Sequence, residues 1–227
     1  QSFKYSYEDP SAPFFIENNL QNTPTPRTPQ TLKVVSFNIE FAKHIEEAID
    51  LFNHPVLKDA DILLLQEMDE QGTNRLARQL KMNSIYYPSI FHPKHQQNVG
   101  NAILTKYPIK SHRKIKLPHP SSYPNLTQGT NYLFRKTATV AQIEILDVPL
   151  VLVSAHGSAI NTTEKRYHFA KVLSEEVLSN NMAKVIVGGD FNSFGRADID
   201  ATAIAFIEAG FEWTSRDIGS TVSEKKS

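Results

Sequence analysis

The 227-residue chain contains no cysteine, carries no net charge and has no long apolar run. The lack of cysteine excludes disulfides, thiolate zinc sites and cysteine nucleophiles. Lys+Arg and Asp+Glu are equal at 24 each, so the overall charge gives no argument for a nucleic-acid partner. The apolar runs at 62–65 and 150–153 are far too short to span a bilayer, and we therefore expect a soluble protein.

The sequence also lacks the signature motifs of several enzyme classes. It has no Gly-rich nucleotide loop, no Walker lysine, no His-Glu-x-x-His helix and no Gly-x-Ser-x-Gly elbow. Ser158 lies close to His156 in sequence, but without the elbow a serine-type acyl hydrolase is disfavoured.

The first 31 residues differ in composition from the rest of the chain. They carry five prolines among Asn, Thr and Ser and show little periodicity, which predicts an extended arm or linker. Residues 32–227 then form one domain. Because the chain starts with Gln rather than Met, we expect an exported protein whose signal peptide was removed, with a cytoplasmic protein as the alternative. We expect a monomer.

From residue 32 onwards, strand and helix patterns alternate, which predicts a mixed α/β layered domain. Apolar or alternating segments predict strands at 32–37, 61–67, 84–90, 99–104, 138–146, 150–154 and 184–187. Helical spacing predicts helices near 45–52 and 76–80, another after Asn161 as N-cap, and a last one at 199–209. The 138–154 segment reads as a hairpin that turns around residues 147–149.

Polar side chains stand at the ends of these apolar strands. The stretch 184–192 is a short Val/Ile strand that stops at two glycines and then presents Asp190 and Asn192. These two residues face the same side if the chain stays extended. The corresponding residues of the other strands are Asn38, Glu40, Glu67, Asn101 and His156. Oxygen ligands without cysteine favour Mg²⁺, Mn²⁺ or Ca²⁺ over zinc, which indicates metal-assisted attack of water on a phosphoester.

Five motifs in order resemble the endonuclease/exonuclease/phosphatase superfamily. They are Ser-Phe-Asn-Ile-Glu (36–40), Leu-Gln-Glu (65–67), Gly-Asn-Ala-Ile-Leu-Thr-Lys-Tyr-Pro-Ile (100–109), Ser-Ala-His (154–156) and Gly-Asp-Phe-Asn (189–192). The resemblance implies a four-layer α/β sandwich, with two packed mixed β-sheets flanked by helices. It also implies a divalent-metal phosphoesterase, and known members cleave DNA, RNA, inositol phosphates and sphingomyelin. The expected substrate is therefore nucleic acid, or a phospholipid or inositol phosphate.

The resemblance also assigns roles to individual residues. Glu67 would be the principal metal ligand, supported by Asn38 and by Glu40, where some members carry Asp. His156 would hydrogen-bond a phosphate oxygen, and Asp190 would orient or deprotonate the attacking water. The phosphate-positioning residues would be Asn38, His156 and Asn192.

One departure from the family pattern concerns the end of the chain. Family members finish with a strand that carries an Asp-His pair, and nothing like it follows Asn192. We expect this chain to be a fragment of a longer catalytic protein that lacks the last strand. The alternative is a non-catalytic binding or regulatory domain of the same fold.

Three further features bear on the substrate and on the site. The basic residues of segment 106–116 could line an anionic substrate or form the solvated face of a strand. Tyr123, Tyr132 and Phe134 could cap the site or stack on a base. Asn101 is expected to shape the turn at residue 100, and Arg166 to be a surface or bracing group.

Overall fold

A computed structural model describes residues 5–18, 31–118, 135–179 and 183–217. These segments contain nine strands and four helices: β1 (Phe15–Glu17), β2 (Val34–Asn38), α1 (Ile45–Asn53), β3 (Ile62–Met68), α2 (Glu70–Leu80), β4 (Asn83–His92), β5 (Gln97–Thr105), β6 (Ser111–Lys116), β7 (Thr137–Ile145), β8 (Val148–His156), α3 (Thr163–Leu178), β9 (Lys184–Asp190) and α4 (Arg196–Glu208). In this part of the chain, no helix is long and apolar enough to cross a membrane.

The strands form two mixed sheets. The first has five strands in the order β1-β4-β5-β3-β2, and the second has four in the order β6-β7-β8-β9. Each sheet contains one parallel pair, β2 with β3 and β8 with β9. A helical crossover joins each parallel pair, α1 in the first sheet and α3 in the second. The carboxyl ends of the two paired strands therefore lie side by side in each sheet.

The apolar side chains of the sheets are buried on both faces, which produces four layers. Between the sheets, Leu64 and Ile103 of the first pack with Leu152 of the second. Helices α1 and α2 cover the outer face of the first sheet, and α3 and α4 cover that of the second. The predicted four-layer sandwich is confirmed.

The predicted helices follow their apolar periodicity, with one change at a helix start. The inner face of α3 is formed by Ala170, Leu173 and Val177, each with no exposed surface. The N-cap of α3 is Thr162, whose side chain accepts from the Lys165 amide. The prediction of Asn161 as N-cap was wrong because its side chain accepts from the Thr162 amide instead.

The β7–β8 hairpin turns one residue earlier than predicted. Leu146 and Asp147 both have left-handed backbone conformations, with φ of 52° and 60°. Two consecutive left-handed residues are the geometry of a tight two-residue hairpin turn. Val148 and Pro149, which the sequence placed in the turn, are the first residues of β8.

The described part of the N-terminal arm lies on the sandwich. Its residues Phe15–Glu17 add strand β1 to the edge of the first sheet by pairing with β4. The ammonium group of Lys114 in β6 donates to the carbonyl oxygens of Tyr7 and Ala12 at 3.0 and 2.8 Å. Arg135 forms an ion pair with Glu8 at 2.7 Å. The arm therefore holds the start of β7 in place.

Buried polar contacts connect the two sheets. Ser154 of β8 accepts from the Gln66 side chain at 3.0 Å and donates to the Leu65 carbonyl at 2.9 Å. Asn101 of β5 donates to the Thr137 carbonyl at 2.7 Å. Asn101 thus lies inside a strand and bridges the sheets, which contradicts its predicted role in a turn. Because buried hydrogen bonds require definite geometry, these contacts fix how the strand ends of the two sheets face each other.

Candidate active site

Four predicted residues converge where the parallel strands of both sheets end. Asn38 ends β2, Glu67 lies near the end of β3, and His156 and Asp190 end β8 and β9. The Asn38 amide nitrogen donates to Glu67 Oε1 at 3.2 Å and to Asp190 Oδ2 at 3.0 Å. The first sheet supplies one carboxylate and the second sheet supplies the other. We call Asn38, Glu67, His156 and Asp190 the acidic centre.

Glu67 occupies an unusual backbone position. Its φ is 56°, in the left-handed region that non-glycine residues rarely adopt. The pairing register between β3 and β5 shifts at this point, between Leu65 and Met68. Such an irregularity re-aims a side chain, and strained backbone of this kind often occurs at functional sites. The Phe41 amide donates to Glu67 Oε2 at 3.2 Å and holds the carboxylate in this orientation.

Burial shapes the electrostatics of the acidic centre. It raises the pKa of Glu67, against the opposing effects of the Asn38 hydrogen bond and the Lys136 charge. It also lowers the pKa of His156 well below its usual value, and Lys136 adds to this effect. The imidazole is therefore neutral at pH 7. His156 Nε2 lies 3.8 Å from Glu67 Oε1 and 4.0 Å from Asp190 Oδ2.

A left-handed turn after β9 places Asn192 beside His156. The backbone amide of Asn192 donates to Asp190 Oδ1 at 2.9 Å. Its φ is 52°, a conformation that asparagine tolerates. Its side-chain nitrogen lies 3.1 Å from His156 Nε2 and donates to the Gly157 carbonyl at 3.2 Å. Asp190 and Asn192 therefore meet through a turn and not through extended chain.

The two glycines before Asp190 make different close contacts. A Cβ on Gly189 would lie 2.2 Å from the Ala155 carbonyl oxygen of the neighbouring strand β8, where the backbone leaves no room for a side chain. A Cβ on Gly188 would lie 2.6 Å from Leu64 Cδ1 of the other sheet, so the Leu64 side chain would have to move. Gly189 thus lets β9 approach β8, which brings the ends of these strands together.

Lys136 is a site residue that the sequence patterns did not indicate. It lies directly before β7, is partly buried and faces the same cavity as Glu67 and His156. Desolvation lowers its pKa to about 8, while Glu67 and Asp190 oppose that shift. Within the described segments, Lys136 forms no ion pair closer than 4.0 Å. Its ammonium group therefore attracts Glu67 and Asp190 through space and can also contact a ligand in the cavity. A lone lysine after a Pro-rich segment gives no periodic or spacing signal.

The structure does not bring the carboxylate of Glu40 to the acidic centre. Three consecutive residues, Glu40, Phe41 and Ala42, have left-handed conformations, with φ of 49°, 58° and 53°. This turn directs the Phe41 amide towards Glu67. The Glu40 side chain remains 70% exposed, at 3.8 Å from Lys43.

The basic segment 106–116 lies away from the cavity. Lys114 is buried against the N-terminal arm, and Arg113 donates to the Glu176 carbonyl at 2.8 Å. Arg166 is also buried and braces the site from behind, since it pairs with Asp198 at 3.1 Å and donates to the Phe191 carbonyl at 3.3 Å. Tyr123, Tyr132 and Phe134 lie outside the described residues.

A cavity of about 320 Å³ opens next to the acidic centre. Its lining includes Glu67, His156 and Asn192, together with Phe41 and residues of the β4–β5 hairpin. This volume falls at the lower end of the range of small-molecule sites, about 300–1,000 Å³.

The donor set of the acidic centre fits a hard divalent cation. Two carboxylates converge on one amide, and Glu67 is buried with a raised pKa, a state that a bound cation would relieve. In the described segments, no group of three His, Asp or Glu side chains is arranged to hold a metal ion. Two carboxylates with waters are nevertheless sufficient for Mg²⁺, which keeps several waters in proteins. Asn38 would add a ligand only if its side chain turned, because its Oδ1 accepts from the Glu40 amide at 2.9 Å.

The fold is shared with several solved structures. The Bacteroides thetaiotaomicron VPI-5482 mannosyl-6-phosphatase Bt3783 is 15% identical with a TM-score of 0.57, over 77% of this chain and 70% of that chain. TDP2 of D. rerio, complexed with a single-strand DNA product, is 18% identical with a TM-score of 0.55, over 76% of this chain and 65% of that one. A β-hairpin deletion mutant of Staphylococcus aureus beta toxin is 19% identical with a TM-score of 0.55, over 78% and 73%. At these identities the similarity shows the fold alone.

The sequence itself assigns the family. No curated protein matches the chain. The model of the Endonuclease/Exonuclease/phosphatase family, however, matches residues 35–215, which include every residue of the acidic centre. Members of this family are hydrolytic phosphoesterases, generally use divalent metals and include phosphatases and nucleases. The chain belongs to the Endonuclease/Exonuclease/phosphatase family.

Proposed function

We propose that this protein is a divalent-metal-dependent hydrolase of phosphoester bonds, of the phosphodiesterase or nuclease-like kind. The observation that carries this proposal is the shared hydrogen bond of the acidic centre. Glu67 and Asp190, from different sheets, both bind the Asn38 amide at the mouth of a cavity. A cation bound between these two partly buried carboxylates would offset the cost of holding them close together.

Glu67 would hold the cation, with Mg²⁺ as first choice and Mn²⁺ or Ca²⁺ as alternatives. Asn38 would join it through Oδ1 once its side-chain amide turned away from the Glu40 amide. A bound divalent cation supplies Lewis-acid stabilisation of the charge that develops on the phosphoryl oxygens. Glu67 suits this role because the Phe41 amide and the left-handed backbone hold its carboxylate in one orientation. Glu40 could join the ligand set only if its exposed side chain turned inwards.

Asp190 would orient the attacking water and accept its proton. Its Oδ1 accepts from the backbone amide of Asn192, and its Oδ2 accepts from the side-chain amide of Asn38. Because both oxygens are positioned by backbone or side-chain donors, the carboxylate has little freedom to rotate. A fixed acceptor within hydrogen-bond reach of the water is the geometry that general-base catalysis requires.

His156, Asn192 and Lys136 would bind the phosphate. The neutral imidazole of His156 donates to a phosphate oxygen from Nε2 when that nitrogen carries the proton. The side-chain amide of Asn192 then turns from His156 to the phosphate. Lys136 contributes a partly desolvated ammonium group in the lining of the cavity. Because His156 and Lys136 already line the cavity, only Asn192 has to turn before these donors stabilise the transition state.

Hydrolysis of bis-p-nitrophenyl phosphate tests the proposal. The chain, beside a version extended to its natural C-terminus, would be assayed with Mg²⁺, Mn²⁺ or Ca²⁺ and with EDTA, followed by a panel of oligonucleotides, sphingomyelin and inositol phosphates. We expect turnover of the extended version with a divalent cation and none with EDTA. Equal turnover in the presence of EDTA would contradict the proposal.

A second candidate is a domain of the same fold that binds phosphate groups without turnover. One observation favours it, namely that the phosphate-binding donors His156, Asn192 and Lys136 line the cavity and need no metal ligand to do so. Calorimetric binding of inorganic phosphate in the presence of Mg²⁺, together with no hydrolysis of any substrate in the panel, would support this candidate.

A further inference from the structure

We propose that the part of the cavity lined by Phe41, His92 and His95 is a stacking subsite for a planar ring. The substrate is then a nucleotide ester whose base lies against Phe41 and His95. This inference rests on the proposed function, because it places the phosphate at the acidic centre. It adds a second recognition element, formed by the turn after β2 and the β4–β5 hairpin.

Three rings form a compact cluster in the lining of the cavity, with Phe41 and His92 edge to face at 5.3 Å. The ring centroids of Phe41 and His95 are 4.4 Å apart at an interplanar angle of 33°, and those of His92 and His95 are 4.5 Å apart at 41°. Phe41 and His95 are only partly buried, and all three rings line the cavity. An accessible aromatic face next to a phosphate site is the arrangement on which bases stack.

The ring surface is connected directly to the acidic centre. The amide of Phe41 donates to Glu67 Oε2, and its carbonyl accepts from the Gln97 side chain at 2.6 Å. Phe41 is therefore fixed on both sides of its peptide unit, between the expected metal ligand and the hairpin. One small molecule can thus reach the acidic centre with its phosphate and Phe41 with its ring.

The polar groups around this part of the cavity favour a nucleotide over a lipid or an alkyl ester. Asn101 is 1% exposed and lines the cavity, and its Oδ1 has no hydrogen-bond partner in the described part of the chain. An amino group or a ring N–H of a base can supply the missing donor, whereas a hydrocarbon chain cannot. Lys43, whose ammonium lies 5.0 Å from the Phe41 ring centre, and Lys94 add positive charge that suits an anionic ligand.

Isothermal titration calorimetry measures how much the ring and the phosphate each contribute to binding. The ligands would be adenosine 5′-monophosphate, inorganic phosphate, a hexose 6-phosphate and glycerol phosphate, each with Mg²⁺ present. We expect the nucleotide to bind about tenfold more tightly than inorganic phosphate, as one stacked base provides. His95→Ala should remove most of this difference and leave phosphate binding unchanged, while His95→Phe should retain it. His44→Ala, an exposed histidine outside the cavity, is the matched control.

The outcomes distinguish this inference from the proposed function. Equal binding of nucleotide and phosphate, tighter binding of the hexose phosphate, or equal weakening of both ligands by His95→Ala would overturn the stacking subsite. If neither ligand binds, the acidic centre is not a phosphate site, and the proposed function fails together with this inference. Phe41→Leu gives a second test that does not alter the hairpin, and circular dichroism checks that each variant is folded.

Discussion

Glu67 and Asp190 accept hydrogen bonds from the same nitrogen, the side-chain amide of Asn38, at 3.2 and 3.0 Å. One acid comes from the five-stranded sheet and the other from the four-stranded sheet. The site therefore exists only when the two sheets are packed in the correct relation. Changes that shift one sheet against the other should reduce activity even when they lie outside the cavity.

Gly189 tests a second requirement within the four-stranded sheet, the close pairing of β9 with β8 that places Asp190 beside His156. A Cβ at this position would lie 2.2 Å from the Ala155 carbonyl oxygen, and backbone cannot move aside as a flexible side chain can. We expect Gly189→Ala to lower the free energy of unfolding by at least about 2 kcal/mol, in the range of overpacked cores, and to reduce kcat. Guanidinium denaturation and the diesterase assay measure the two effects.

Gly195→Ala is the matched control for this substitution. No atom lies within 4 Å of a Cβ built on Gly195, and its φ of −107° is accessible to any residue. Its free energy of unfolding should stay within about 0.5 kcal/mol of the original value. If both alanine variants are equally stable, the close approach of β9 to β8 is not required.

Lys136 should contribute to turnover through its charge. Lys136→Met keeps a long apolar stem and removes the ammonium group, so we expect the fold to persist and kcat to fall by about a hundredfold, as for the loss of one preorganised donor. Lys136→Arg should retain part of the activity. Steady-state kinetics would be compared with Lys110→Met, which changes an exposed lysine outside the cavity. Similar kinetics for both methionine variants would exclude a role for the Lys136 charge.

Because of His92, the free energy of unfolding should decrease as the pH is lowered from about 6.5 to about 4. Burial, together with the charges of His95 and Lys94, lowers its pKa from 6.5 to about 4. Above pH 6.5 both folded and unfolded states are neutral at this residue. Between pH 6.5 and about 4 the unfolded state takes up a proton that the folded state does not, so the free energy of unfolding decreases as pH falls.

The variant His92→Gln isolates this contribution. Guanidinium midpoints at pH 7 and pH 5 should differ less for the variant than for the original protein. The variant will still lose some stability at pH 5, because burial also lowers the pKa of His156 and so makes the free energy of unfolding decrease as the pH falls. An equal decrease of the guanidinium midpoint between pH 7 and pH 5 in the two proteins would show that His92 is protonated equally in the folded and unfolded states.

Much of the architecture could be predicted from periodicity. Buried strands such as β3 and β8 read as continuous apolar runs, and α1 and α3 show their inner faces at helical spacing. The convergence of Asn38 with Glu67, and of His156 with Asp190, follows because parallel strands end at the same edge of a sheet. That reasoning needs only strand order and does not depend on side-chain detail.

Other features depend on contacts that the sequence does not display. Strand β1 is three residues long in a Pro-rich segment, and it forms only because β4 offers an open edge. Strand β6 looks solvated in sequence, yet Lys114 points inwards to two carbonyl oxygens of the arm. The left-handed backbone at Glu67 and at 40–42 decides which carboxylate enters the site, and no residue preference indicates it.

The rates of diester hydrolysis by Glu67→Gln and Glu40→Gln test the central claim most directly. Each variant exchanges a carboxylate for an amide of the same size, one in the buried acidic centre and one 70% exposed beside Lys43. We predict that, at saturating Mg²⁺, Glu67→Gln loses at least about a hundredfold in rate while Glu40→Gln stays within about threefold of the original protein. Asp190→Asn should behave like Glu67→Gln. Unchanged turnover in Glu67→Gln, with the fold intact by circular dichroism, would contradict the assignment of the active site.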